Sequence, residues 1–182
     1  VWTNVKSKIP FQQLPMMEAE DGTQICQSIA ILQYIENRSG LAINDPVKAA
    51  EAMAILQSSQ ELFAPLNPTI NFATGDDFIA KRDTMRGGLN NRFADLSRCL
   101  EKYEGKYFID DTPRAAEFAA FHHMDLSRHL DPDILNSFPR LVQFVKDIES
   151  IKTVSSYLEY RPELIDVGVE PKLIIDGKPQ PT

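Results

Sequence analysis

Hydrophobic positions follow two different rhythms along this chain. Up to residue 39 they fall in short mixed runs; beyond residue 46 they recur at the three-and-four spacing of helices. Residues 16–20 and 23–27 read as strands on either side of Asp21-Gly22, a dipeptide that favours a tight hairpin turn. Ile29, Leu32 and Ile35, with Ala30, Ile31 and Tyr34, then form one apolar helical face, and Ser39-Gly40 supplies a stop. Residues 41–46 read as a linker.

After it the pattern is helical to about residue 161. Asp45-Pro46 has the chemistry of a helix start, and Ala49, Ala52, Met53, Leu56, Gln60 and Phe63 carry a stripe that Pro65 and Pro68 are expected to break. A long helix is predicted over residues 77–103, with Phe78, Met85, Leu89, Phe93, Leu96 and Leu100 facing inward. Gly87-Gly88 inside it weakens the helix by ~1 kcal/mol per glycine, and points to a kink or a close helix contact. Thr112-Pro113 is expected to open the next helix, whose Ala115, Ala116, Ala119 and Ala120 permit near approach by neighbours and make it central. Further helices fit residues 138–150 and 154–160.

Composition narrows the functional classes. The 182 residues are 43% hydrophobic, enough for a sizeable core, and the formal net charge is -7 with no clustered Lys and Arg, which argues against nucleic acid as partner. No apolar run reaches the ~18 to 20 residues of a membrane span. Cys26 and Cys99 have no metal-ligand spacing and read as free thiols in a reducing, cytoplasmic setting. His122 and His123 are adjacent, hence about 100° apart on a helix, and do not converge on one ion; His129 has no spaced carboxylate partner.

Two blocks of residues resemble the glutathione transferases, most closely their sigma class, which includes prostaglandin D synthases and the S-crystallins. The first comprises Trp2, Lys6, Pro10-Phe11, Leu14-Pro15, Gln27-Ser28-Ile29-Ala30-Ile31 and Tyr34-Ile35 in the order and spacing of the family's glutathione site. The second runs from Phe138-Pro139-Arg140-Leu141 through Val145, Ile148, Ile151, Val154 and Tyr157-Leu158 to Arg161-Pro162. The resemblance implies an α/β plus all-α fold: a partial thioredoxin-like glutathione-binding domain (β-hairpin and helix) over residues 1–40, an all-helical domain over 41–162, and an extension over 163–182. A first strand and helix upstream of Val1 are also implied.

Glutathione as co-substrate follows from the same resemblance. A cis peptide before Pro15 would turn the Leu14 main chain toward the cysteinyl backbone of the tripeptide. Ser28, opening a helix, would receive the γ-glutamyl carboxylate beside Gln27, where free amides and the helix dipole favour an anion. Lys6 and Trp2 would hold the glycyl carboxylate, with Gln13 adding a side-chain contact. Glu61 lies where the family often carries an acid that reaches the partner subunit's glutathione amine; a solvated face is the other reading of that residue.

Departures from the family pattern bear on activity. The family's catalytic tyrosine, which favours the thiolate nucleophile, has no match in this sequence, and none of Tyr34, Tyr103, Tyr107, Tyr157 and Tyr160 aligns with it. Gln12 stands where a loop glycine is common. Arg114 and Glu117 replace the Thr or Ser and the Asp of a helix capping box, which should loosen it. The expected activity is attack of the glutathione thiolate on a small electrophile, by conjugation or isomerisation, in a homodimer, with the catalytic hydroxyl supplied upstream. The alternatives are a non-catalytic structural or interaction protein, such as a subunit of a larger assembly, and a glutathione sensor. Residues 169–182, with Leu173-Ile174-Ile175 ahead of Asp176-Gly177, are expected to lie extended on their own domain or to dock onto a partner.

Overall fold

The computed structural model describes residues 2–162, 174–175 and 178–179, with the side chains of residues 2, 3, 71, 72 and everything past 162 outside the description. The chain divides into two compact units, Val1–Ala50 and Glu51–Thr182.

The first unit holds α1 (Trp2–Lys6), β1 (Met16–Glu18), β2 (Gln24–Cys26) and α2 (Ser28–Arg38). The two strands pair antiparallel with Met17 opposite Ile25, and the turn closes through Gly22 N–H to Ala19 carbonyl at 2.9 Å and Thr23 N–H to the Asp21 carboxylate at 3.0 Å. The Thr23 amide, with the Thr23 hydroxyl, holds the Asp21 carboxyl below the usual carboxylate range. Helix α2 packs on both strands. It ends where expected: Gly40 has φ 75 and the Leu41 N–H returns to the Glu36 carbonyl at 3.2 Å, a Schellman closure that satisfies one of the last carbonyls.

Asp45 caps α3 (Pro46–Gln60), its carboxylate accepting the N–H groups of Val47 and Lys48 at 2.9 and 3.0 Å. The rest of the second unit is α4 (Phe63–Phe72), α5 (Gly75–Glu101), α6 (Ala115–Leu130), α7 (Pro139–Glu149), α8 (Lys152–Tyr160) and a two-residue antiparallel pair, β3 (Ile174–Ile175) with β4 (Lys178–Pro179). Within this unit α5 packs on α4 and α7, α6 on α4 and α7, and α8 on α7. The expected inward stripe of α5 is the core: Met85, Leu89, Phe93, Leu96 and Leu100 are all buried. Leu141, Phe144, Val145 and Ile148 of α7 answer it at helical spacing, and Phe108 meets Phe144 with ring centroids 5.3 Å apart. The alanines of α6 are buried as expected, which makes it the central helix.

Four expectations are corrected. Pro65 and Pro68 do not end a helix. The break falls at residues 61–62, and α4 runs through both prolines. Pro65 sits in the first turn, where its missing N–H costs nothing, and Leu66 and Ile70 bury in the core to offset the bond lost at Pro68. Phe63 accordingly starts a new helix and is half exposed instead of closing the α3 stripe.

Helix α6 begins at Ala115, later than Thr112-Pro113, and its cap is not loose. The Glu117 carboxylate accepts the Arg114 N–H at 2.8 Å and also the Phe108 N–H at 3.0 Å, because glutamate reaches further than aspartate. An arginine side chain has no acceptor, so only this half of a capping box can form; the Arg114 guanidinium instead donates to Asp110 at 2.9 Å. The glycine pair does mark a close contact, since a Cβ on Gly88 would lie 3.3 Å from the Pro65 Cβ.

Candidate glutathione site

Met16 and Cys26 are the last paired residues of the hairpin, so Leu14-Pro15 leads into the ladder at the end from which Gln27-Ser28 leaves it. The Leu14-Pro15 peptide is cis. Leu14 is 66% exposed, and Gln27 and Ser28 are exposed as well.

The start of α2 is built for an acceptor. Ser28 is the first helical residue; Gln27 precedes it with φ 76 and ψ 122, an unusual conformation for a residue with a Cβ, and makes no side-chain cap. The first intrahelical bond runs from Ile31 N–H to the Gln27 carbonyl at 3.0 Å, so the amides of Ser28, Ile29 and Ala30 precede the helical ladder. Three amides without a partner among the described residues, a serine hydroxyl and the positive end of an eleven-residue helix favour a carboxylate here. Holding Gln27 at positive φ costs on the order of 1–3 kcal/mol, a cost usually kept where backbone geometry serves a site.

The approach to Leu14 is similarly particular. A series of turns leads out of α1, with Ile9 N–H to Lys6 carbonyl at 3.2 Å and Gln12 N–H to Ile9 carbonyl at 2.9 Å, and Ile9 is the buried anchor. Gln12 has φ 52, in the left-handed region that glycine enters most readily.

Leu14-Pro15 and Gln27-Ser28 thus flank the same end of the hairpin, and Lys6 and Gln13 are exposed in the same unit. The Trp2 side chain lies outside the described residues. Glu61 belongs to the second unit, just past the end of α3, where its carboxylate forms an ion pair with Arg92 of α5. Sequence reasoning did not find the positive φ of Gln12 and Gln27, since glutamine carries no turn signal; only the glycine expected at Gln12 hinted at one of them.

The first unit also has an open groove of about 410 Å³ lined by Met17, Glu18, Ala19, Tyr34, Ile35 and Arg38. It lies at the turn end of the hairpin, opposite to Leu14 and Ser28, so Tyr34 sits away from the candidate site. Among the described residues no group of His, Cys, Asp and Glu could hold a metal ion, and no helix is long and apolar enough to cross a membrane.

An antiparallel hairpin followed by a helix, joined in sequence to a predominantly helical unit, is the architecture expected of a partial thioredoxin-like domain with a transferase-type helical domain. Comparison with known families agrees. Residues 2–37 match the family described as glutathione S-transferase, N-terminal domain, and residues 69–161 match glutathione S-transferase, C-terminal domain. The chain belongs to the glutathione S-transferase family, whose co-substrate is glutathione.

Among its relatives, hematopoietic prostaglandin D synthase of Gallus gallus is 28% identical over 164 residues, covering 89% of this chain and 79% of that protein. Glutathione S-transferase 1 of Ascaris suum is 24% identical over 166 residues, covering 89% and 80%. In fold, the chain is similar to a monomeric glutathione S-transferase from the hookworm Necator americanus, with a TM-score of 0.78, 23% identity and coverage of 89% and 80%.

Proposed function

We propose that this chain binds glutathione at the Leu14–Ser28 end of its hairpin and serves a cytoplasmic, homodimeric, sigma-like transferase that adds the glutathione thiolate to small electrophiles or isomerises them. The observation that supports the reading is that Leu14-Pro15 and the uncapped, serine-headed helix flank the same end of the hairpin. The Leu14 main chain pairs with the cysteinyl backbone as one rung of a sheet, and Ser28 with the α2 amides receives the γ-glutamyl carboxylate beside Gln27. Lys6 and Trp2 receive the glycyl carboxylate, Gln13 adds a polar contact, and Glu61 approaches the glutathione amine of a partner subunit. Residues 1–40, 41–162 and 163–182 are its working divisions.

Several charge-assisted hydrogen bonds at ~1.5–3 kcal/mol each, less the cost of association, give micromolar to millimolar affinity. Transfer also needs a donor to favour the thiolate. Tyr34, which lines the turn-end groove, is not placed for that role, and this favours a second reading in which residues 1–182 bind without reacting, as part of a larger assembly or a sensor. Calorimetric titration with glutathione, combined with turnover of standard electrophiles by the full-length gene product, separates these outcomes. Binding with turnover supports the transferase, binding without turnover supports the second reading, and no binding rejects both.

A further inference from the structure

Helix α8 has a shallow apolar contact with the rest of the helical unit: none of its nine residues is buried, and Tyr157 and Tyr160 are exposed. Arg161, the residue that closes it, reaches back to α6. One guanidinium nitrogen donates to Asp125 Oδ2 at 2.5 Å, and the other stands 3.0 Å from His129 Nε2. The Asp125 side chain is only 8% exposed and also accepts from Arg128 at 3.0 Å, while Arg128 donates to Glu149, at the end of α7, at 2.6 Å. One buried acid thus links α6 to the ends of α7 and α8.

This cluster is poised to respond to a single proton. Arginine carries donors only, so the 3.0 Å approach is a hydrogen bond only while His129 Nε2 is unprotonated. With His129 neutral, the carboxylates of Asp125 and Glu149 balance the guanidinium groups of Arg128 and Arg161; a proton on His129 leaves one positive charge uncompensated. His129 Nε2 is also 3.7 Å from Asp125 Oδ2, the same oxygen that Arg161 uses, so an imidazolium competes with the guanidinium for it. Other charged groups nearby are engaged differently. His122, on the same helix, feels both Asp125 and Arg161, but loss of solvent around its ring is the larger effect and holds its pKa down. Asp131 pairs with Arg86 of α5, and α4 carries no charged residue.

We infer that Asp125, His129 and Arg161 form a pH-operated latch for the end of α8. Neutral His129 and Asp125 together grip the Arg161 guanidinium. When His129 takes up a proton from solvent it becomes a donor, turns onto Asp125 Oδ2 and displaces Arg161, so α8 loosens from α6 while α7 keeps its link through Arg128 and Glu149. Imidazole ordinarily gains its proton between pH 8 and 5, so mild acidification opens the latch. It is separate from the glutathione site, which belongs to the other unit.

Amide hydrogen exchange of the whole chain tests this, read by peptide mass over α8 (residues 152–160) with α7 (residues 139–149) as internal reference. After correction for intrinsic exchange, opening of α8 relative to α7 should rise about tenfold between pH 7.5 and 5.5, as a hydrogen bond gives way to a like-charge contact near the surface. In His129→Gln the amide oxygen still accepts from Arg161 but gains no proton, so α8 should stay closed at both pH values. Arg161→Met should leave it open at both, and His122→Gln should behave as wild type. No rise in wild type, a rise shared equally by α7, a rise that persists in His129→Gln, or its loss in His122→Gln overturns the proposal.

Discussion

Glu117 is the residue whose removal should be felt most. Its side chain is nearly fully buried, at 1% exposure, and its carboxylate accepts two backbone N–H groups, from Phe108 at 3.0 Å and from Arg114 at 2.8 Å. One acid thereby fixes both the entry to α6 and the loop that carries the fully buried Phe108 ring. Glu117→Ala leaves a buried amide at Phe108 and a partly buried one at Arg114 without acceptors, at ~1–3 kcal/mol and ~1 kcal/mol. Release of the buried carboxylate offsets part of this.

The expected net loss is about 1–3 kcal/mol by urea unfolding, with Tm lowered by roughly 3–9 °C for a chain of this size. Glu117→Gln keeps one acceptor and should lose about half as much. Burial raises the Glu117 carboxyl above its ordinary value, against the pull of the two amides. A raised acid contributes fully below its unfolded value and loses that contribution as pH rises through the folded one, so the gap between wild type and Glu117→Gln narrows from pH 4 to pH 8. A loss below about 0.5 kcal/mol for Glu117→Ala, or a gap that widens with pH, refutes this reasoning.

Other consequences are independent of that residue. His123 is buried against Phe63, its Nδ1 has no hydrogen-bond partner among the described residues, and burial lowers its pKa to about 4. It should show no NMR titration between pH 8 and 5, and because a depressed base destabilises the fold on the acid side, His123→Leu should regain up to ~3 kcal/mol as pH falls from 6.5 to 4. Asp131 is held below the usual carboxylate range, first by its hydrogen bonds from Arg86, so Asp131→Asn should cost stability at pH 7 and progressively less below pH 4 in urea titrations. Gly87 has nothing within 4 Å of an added Cβ, whereas Gly88 meets the Pro65 ring at 3.3 Å. Gly87→Ala should therefore gain ~1 kcal/mol and Gly88→Ala distinctly less; equal gains would show that the α4–α5 contact is looser than described.

Local chemistry accounts for what was legible in the sequence. Asp21-Gly22 closed the hairpin, Asp45 capped α3, Gly40 ended α2, and the spacing of Met85, Leu89, Phe93, Leu96 and Leu100 gave the core face of α5. What escaped depended on distant partners. Pro65 and Pro68 look like breakers until Leu66 and Ile70 are seen buried on either side of Pro68. The Glu117 reach-back looks weak until the Phe108 amide, nine residues earlier, joins it. For the candidate site, Leu14-Pro15 and Ser28 were readable by resemblance, but the left-handed Gln27 that shapes the α2 start was not, because glutamine has no preference for that conformation.

The central claim is that the uncapped start of α2 receives a carboxylate of glutathione. Calorimetric titration of glutathione into wild type and Ser28→Ala tests it most directly. Loss of one charge-assisted hydrogen bond, ~1.5–2 kcal/mol, predicts affinity weakened by roughly 10- to 30-fold. Equal affinity in both proteins, with the fold intact by circular dichroism, would contradict it.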